Sequence, residues 1–84
     1  MVRLLFLGKF SELASVHLGE IALPNGVQTL SDLKNWIART EPLLGRAMET
    51  TATRLVLNQC VALDLSHTVS DGDEIAFLPP MSGG

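Results

Sequence analysis

Eighty-four residues, 46% of them hydrophobic, can supply one domain with one core, and a second core is out of reach at this length. A formal net charge of −3 with six scattered Lys plus Arg leaves no basic stripe for nucleic acid, and no apolar run approaches the roughly 20 residues of a membrane span. One cysteine, Cys60, excludes an internal disulfide, a cysteine-ligated zinc site and the four-cysteine cluster of small β-rich ferredoxins.

The chain opens on an apolar run, residues 2–7, closed by Gly8, which is the pattern of a buried or two-sided strand. As a secretory h-region it is too short, and Lys9, Ser11 and Glu12 follow with no small-residue cleavage site. A cytoplasmic protein is expected. Residues 9–15 predict a short helix with Phe10, Leu13 and Ala14 on one side. Residues 17–23 alternate through Leu18, Ile21 and Leu23 and end at Pro24-Asn25-Gly26, where proline presets φ and Asn-Gly tolerates positive φ. A second strand, paired with the first as a hairpin-like unit, is the expectation.

Thr29 is a candidate N-cap with Asp32 at the third helical position, a capping box using Asp in place of Glu. Leu30, Leu33 and Ile37 recur at helical spacing with Trp36 on the flank, and Glu41-Pro42 closes the helix. Residues 43–49 predict a short second helix through Leu43, Leu44, Ala47 and Met48. Residues 54–58 and 61–63 read as two short strands around Asn58-Gln59-Cys60. Residues 64–68 are polar and turn-like, Ser70-Asp71-Gly72-Asp73 is a turn, and residues 74–78 form the last strand. Pro79-Pro80 stops pairing, because two prolines supply no backbone donor.

One amphipathic helix between two strands and two or three more must bury its stripe on one face of a mixed sheet. The expected fold is α+β, a ubiquitin-like β-grasp, as one domain over residues 1–84. Residues 78–80 end the last strand, and residues 81–84 form a flexible Gly-Gly tail.

Strand side chains alternate between faces. Val2, Leu4, Phe6, Ile75 and Phe77 are assigned to the helix side. Leu5, Leu7, Ala76 and Leu78, with Val61, fall on a face with no evident cover, and an apolar patch of that kind marks an interaction site. Cover by the short second helix or a loop is the alternative, and a homodimer would use the same patch.

The two terminal glycines lack a β-carbon, so they can thread a narrow tunnel and leave the Gly84 carboxyl unshielded. A carboxylate acylates poorly until adenylation by ATP turns it into a mixed anhydride, open to a sulfur or nitrogen nucleophile. No side-chain active site competes with this. Cys60 has no neighbouring His or basic cluster and reads as structural. His17 and His67 lack metal-ligand spacing, and Asp71, Asp73 and Glu74 are better explained by turn geometry. Ser11 and Ser82 have no nucleophile elbow around them.

The stretch Asp71-Gly72-Asp73-Glu74-Ile75-Ala76-Phe77-Leu78-Pro79-Pro80-Met81-Ser82-Gly83-Gly84 resembles the C-terminus of the small subunits of molybdopterin synthase. The first strand, Asn58-Gln59 and the overall length match as well. The double proline before a four-residue tail favours this family over thiazole-pathway sulfur carriers and ubiquitin proper. One departure stands out: Ser11-Glu12-Leu13 occupies the place where the family often carries Arg-Glu-Leu.

The resemblance implies a sulfur carrier with no bound cofactor. An ubiquitin-activating-like adenylyltransferase would use ATP to adenylate Gly84, and a sulfur donor enzyme would convert it to a thiocarboxylate. Gly83 would allow passage and Pro79, Pro80, Met81 and Ser82 would line the tunnel of the large synthase subunit, in a heterotetramer of two small and two large chains. Leu7, Val61 and Leu78 would dock that subunit, which would supply the catalytic side chains. Two carriers would deliver the two dithiolene sulfurs of molybdopterin to cyclic pyranopterin monophosphate. A ubiquitin-like modifier joined to lysines through Gly84, a thiazole-pathway carrier and a plain interaction module are the alternatives.

Overall fold

A computed structural model describes residues 1–50 and 52–80, without the side chains of Val16 and His17. The first apolar run forms β1, Val2–Phe6, and the chain turns away at Gly8, whose φ of 59° few other residues adopt readily. The Gly8 carbonyl accepts from the Ser11 amide and the Ser11 hydroxyl at 3.1 and 2.8 Å, which starts α1, Phe10–Leu13. Phe10 from this single turn is fully buried.

The long second strand expected over residues 17–23 is not formed. A 3₁₀ turn, Val16–Gly19, comes first, and only Glu20–Ile21 pairs, as β2. Leu18 reaches the core from the 3₁₀ turn, where its amide donates to the Ser15 carbonyl at 3.0 Å. Apolar spacing there reflects burial from a turn followed by a strand, not one continuous alternation. The antiparallel pairing with β1 is nevertheless present, through Val2 with Ile21 and Arg3 with Glu20. Gly26, at φ 86°, then permits a turn in which the Val27 amide donates to the Pro24 carbonyl at 3.1 Å.

Helix α2, Leu30–Thr40, begins as its capping residues predict. The Asp32 amide donates to Thr29 Oγ1 at 3.1 Å, and Asp32 Oδ2 accepts from the Thr29 amide at 3.2 Å. A further bond from the Gln28 amide, with those from Thr29, holds the Asp32 carboxyl below its ordinary value. Residues 65–69 complete the cap: the Leu30 and Ser31 amides donate to the His67 and Leu65 carbonyls at 3.0 and 2.9 Å. The four orphan donors of the helix start, the Thr29, Leu30, Ser31 and Asp32 amides, are thus all satisfied, and the Leu33 amide on the Thr29 carbonyl at 3.0 Å makes the first intrahelical bond.

Glu41 ends α2, and Pro42 opens α3, Pro42–Glu49, at a position where its missing amide costs nothing. Leu44 and Met48 join Leu30, Leu33 and Ile37 in the same core as Leu4, Leu55, Ile75 and Phe77. A β-carbon on Gly45 would stand 2.5 Å from Ala38 Cα, so the backbones of α2 and α3 approach closely there. Both helices therefore lie on one side of the sheet. The alternative, cover of the opposite face by α3, is excluded by its core contacts through Leu44 and Met48.

Strands β3, Arg54–Leu57, and β4, Cys60–Ala62, flank a two-residue turn, Asn58-Gln59, with φ of 49° and 70°. Two positive-φ residues match the twist of a tight hairpin. Strand β4 thus begins at Cys60, one residue before the expected start, and ends before Leu63. Strand β5, Glu74–Leu78, follows the Ser70–Asp73 turn. The sheet order is β2-β1-β5-β3-β4, with β1 and β5 parallel and all other neighbours antiparallel. This is the mixed sheet of a ubiquitin-like β-grasp.

Candidate docking face

Register lays out the uncovered face in transverse rows. At one end Glu20, Arg3 and Glu74 stand side by side, and Arg3 Nη1 lies 3.7 Å from Glu74 Oε2. The next row is apolar across four strands: Leu5 pairs with Ala76, Ala76 with Val56, and Val56 with Val61. Beyond it Leu78 pairs with Arg54, and the Leu7 amide donates to the Phe77 carbonyl at 3.1 Å, carrying β1 alongside β5 for one more residue. Half of this face is polar, and the half nearer the end of β5 is apolar.

Exposure agrees for most of the expected residues. Leu5, Leu7 and Val61 are exposed at 38%, 44% and 53%. Two are corrected. Ala76 is buried at 8%, because its methyl is short and central strand neighbours stand on both sides. It forms a floor between Leu5 and Val56 and offers little surface of its own. Leu78 is half-buried, where an open position was expected, and it shares a hollow of 240 Å³ with Arg54, Pro79 and Pro80. Pro79 is held beside Gly8: a β-carbon there would lie 2.9 Å from Pro79 Cγ.

Two apolar residues of this region were missed. Val56 is half-buried between Ala76 and Val61, and Leu63, just past β4, is 94% exposed. Parity would have found Val56, since Leu55 and Leu57 face the core on either side of it.

Met81, Ser82, Gly83 and Gly84, the expected tail, lie outside the described residues, as does the His17 side chain. Cys60 is exposed, which corrects its reading as a structural residue. Ser11 is engaged with the Gly8 carbonyl, so it shapes the β1–α1 turn. Asp73 accepts from the Ser70 amide at 2.8 Å, the turn geometry expected, and also from Asn58 Nδ2 at 2.9 Å, while Asp71 meets the Met1 amino group at the far end of the chain. Asp64 accepts from the Ser66 amide and hydroxyl, which holds its carboxyl below the ordinary value. Among the described residues no group of three His, Cys, Asp or Glu could hold a metal ion, and no helix is long and apolar enough to cross a membrane.

Among the described residues the arrangement brings together no acid–base or nucleophilic pair. What it offers is an apolar surface leading to Pro79-Pro80. Known proteins share both the sequence and the fold. The chain is 30% identical over 84 residues to the molybdopterin synthase sulfur carrier subunit of Escherichia coli K12, covering all of both chains. It is 34% identical to the carrier subunit of Chlamydomonas reinhardtii, covering 99% of this chain and 98% of that one. The crystal structure of SAMP1 from Haloferax volcanii superposes with a TM-score of 0.73 at 20% identity, over 99% of this chain and 98% of that one, an agreement of fold. The ThiS family model matches residues 4–84. From its first strand to its last glycine, the chain belongs to the ThiS family.

Proposed function

We propose that this chain is the sulfur carrier subunit of a molybdopterin synthase, working through a thiocarboxylate on Gly84. The carrying observation is geometric: the apolar half of the uncovered face ends at Leu78-Pro79-Pro80, so a protein seated there stands where the tail leaves the sheet. End-to-end similarity to the carrier subunits of Escherichia coli and Chlamydomonas reinhardtii supports the same reading.

The chemistry divides between proteins. An adenylyltransferase joins the Gly84 carboxylate to AMP and releases pyrophosphate. The outer sulfur of a donor enzyme's persulfide then displaces AMP, and a thiol reductant cleaves the resulting acyl persulfide, leaving the thiocarboxylate and a disulfide. Gly83, Ser82 and Met81 carry that group into the large synthase subunit, whose side chains handle protons and phosphate while sulfur passes to cyclic pyranopterin monophosphate. Each product molecule takes sulfur from two carriers, which fits a heterotetramer of two small and two large chains. ATP is consumed by the activating enzyme, and the carrier holds no cofactor of its own. We place the work in the cytoplasm.

Intact-mass measurement after incubation with the adenylyltransferase, ATP, a persulfide donor and a thiol reductant tests this directly. The expected product gains the mass of one oxygen-to-sulfur exchange, and removal of Gly84 abolishes the gain while the thermal melt stays unchanged, since residues from Val2 to Phe77 already make up the buried core described above. Isopeptide adducts on lysines with no thiocarboxylate would instead establish a protein modifier.

A further inference from the structure

Among the described residues Arg54 is the one charged strand residue on the apolar half of the uncovered face. It pairs in register with Leu78, sits one position along β3 from the core residue Leu55, and is exposed. It lines the 240 Å³ hollow at the root of the tail with Leu78, Pro79 and Pro80, and it borders a second hollow, of 290 Å³, with Val61 and Leu63. Among the described residues no carboxylate lies within ion-pair distance of it, whereas Arg3 on the polar half has Glu74.

That contrast has an energetic consequence for docking. A protein that covers Leu5, Val56, Val61, Leu63 and Leu78 must also cover Arg54, which stands among them. Water would be removed from a guanidinium that its own chain does not compensate, and a desolvated unpaired charge opposes association strongly. An arginine side chain remains a cation in proteins, so that cost stays. The planar fork of its donors matches a carboxylate with two parallel hydrogen bonds. We infer that the protein docking here presents an Asp or Glu carboxylate to Arg54, set within an apolar collar, and that this pair fixes the orientation in which the tail enters. The inference rests on the docking proposed above, with the large subunit of molybdopterin synthase as occupant.

Titration calorimetry of the full chain against that large subunit, at about 50 and about 500 mM salt, tests it. Arg54→Met keeps the length and apolar stem of the side chain and removes the charge. Its affinity should fall by at least roughly 30-fold, and Arg54→Glu should fall further, because two carboxylates would then face each other. Arg54→Met should also lose most of the salt dependence of the wild-type complex. Thermal melts of both variants should match the wild type, since the side chain is exposed. Val61→Asp separates the two levels of the argument. If Val61→Asp prevents binding while Arg54→Met binds as tightly as wild type, docking stands and the carboxylate is refuted. A loss in Arg54→Met with unchanged salt dependence assigns the effect to packing and refutes it equally. If Val61→Asp binds normally, the docking face itself is wrong, and the pairing falls with it.

Discussion

Asn58 ties the β3–β4 turn to the start of β5 through both ends of its amide. Its Nδ2 donates to Asp73 Oδ1 at 2.9 Å, its Oδ1 accepts from the Glu74 amide at 2.9 Å, and its own amide donates to the Glu74 carbonyl at 2.8 Å. Asn58→Ala would remove two of these bonds and place alanine at a φ of 49°, so a loss of about 1–3 kcal/mol is expected in urea melts. Gln59 is the opposite case. It sits at a φ of 70°, where hairpin turns favour glycine, and its side chain is exposed. Gln59→Gly should therefore stabilise by a few tenths to about 1 kcal/mol, with relief of backbone strain exceeding the added entropy of the unfolded chain. The turn was legible in sequence, because Asn and its flanking apolar runs are local signals. The bonds to Asp73 and Glu74 were not, since partners 15 and 16 residues away leave no local pattern.

At the scale of elements, α2 was legible to the residue, because its cap, stripe and terminating Glu41-Pro42 are all written within one segment. The second strand was not, because how far it pairs depends on where β1 lies, which nothing within residues 17–23 reports. The crossing of α2 and α3 shows how a tertiary contact reverses a local preference. Alanine favours a helix interior over glycine by about 1 kcal/mol, so propensity alone says Gly45→Ala should stabilise α3. Its β-carbon would stand 2.5 Å from Ala38 Cα and 2.7 Å from Ala38 Cβ, and backbone cannot move aside as a side-chain tip can. Overpacking of this kind costs about 1–3 kcal/mol and wins over propensity. Gly45→Ala should lower the urea midpoint while leaving affinity for the large subunit intact, because the helices lie on the other side of the sheet. A raised midpoint would show that the crossing relaxes freely.

For the whole molecule, the organising fact is that the sheet carries apolar residues on both faces and the helices cover one of them. Parity made this visible from the chain alone, since β1 is apolar on both sides and one helix layer covers only one of them. It overstated Ala76, because alternation reports direction and not how tall the neighbours stand. It left Arg54 unremarked, because a single arginine gains meaning only once register places it beside Leu78. Adjacent residues of β1 now allow the two faces to be separated with one chemistry. Leu4 is 2% exposed on the helix side, and Leu5 is half-open on the other. Aspartate at either position forfeits a similar strand propensity, about 1 kcal/mol or less, so any larger difference belongs to the faces. Leu4→Asp places an unpaired carboxylate in the core, at a cost comparable to the roughly 4–12 kcal/mol that holds a domain of this size together. It should be unfolded by circular dichroism. Leu5→Asp leaves its carboxylate in water and should melt within about 2 kcal/mol of wild type. It should nevertheless fail to bind the large subunit, where that same carboxylate would be desolvated beside Val56 and Val61. A folded Leu4→Asp with a collapsed Leu5→Asp would invert the assignment of faces. Two folded variants, with Leu5→Asp binding normally, would place the large subunit elsewhere on the molecule and leave the apolar half without its proposed occupant.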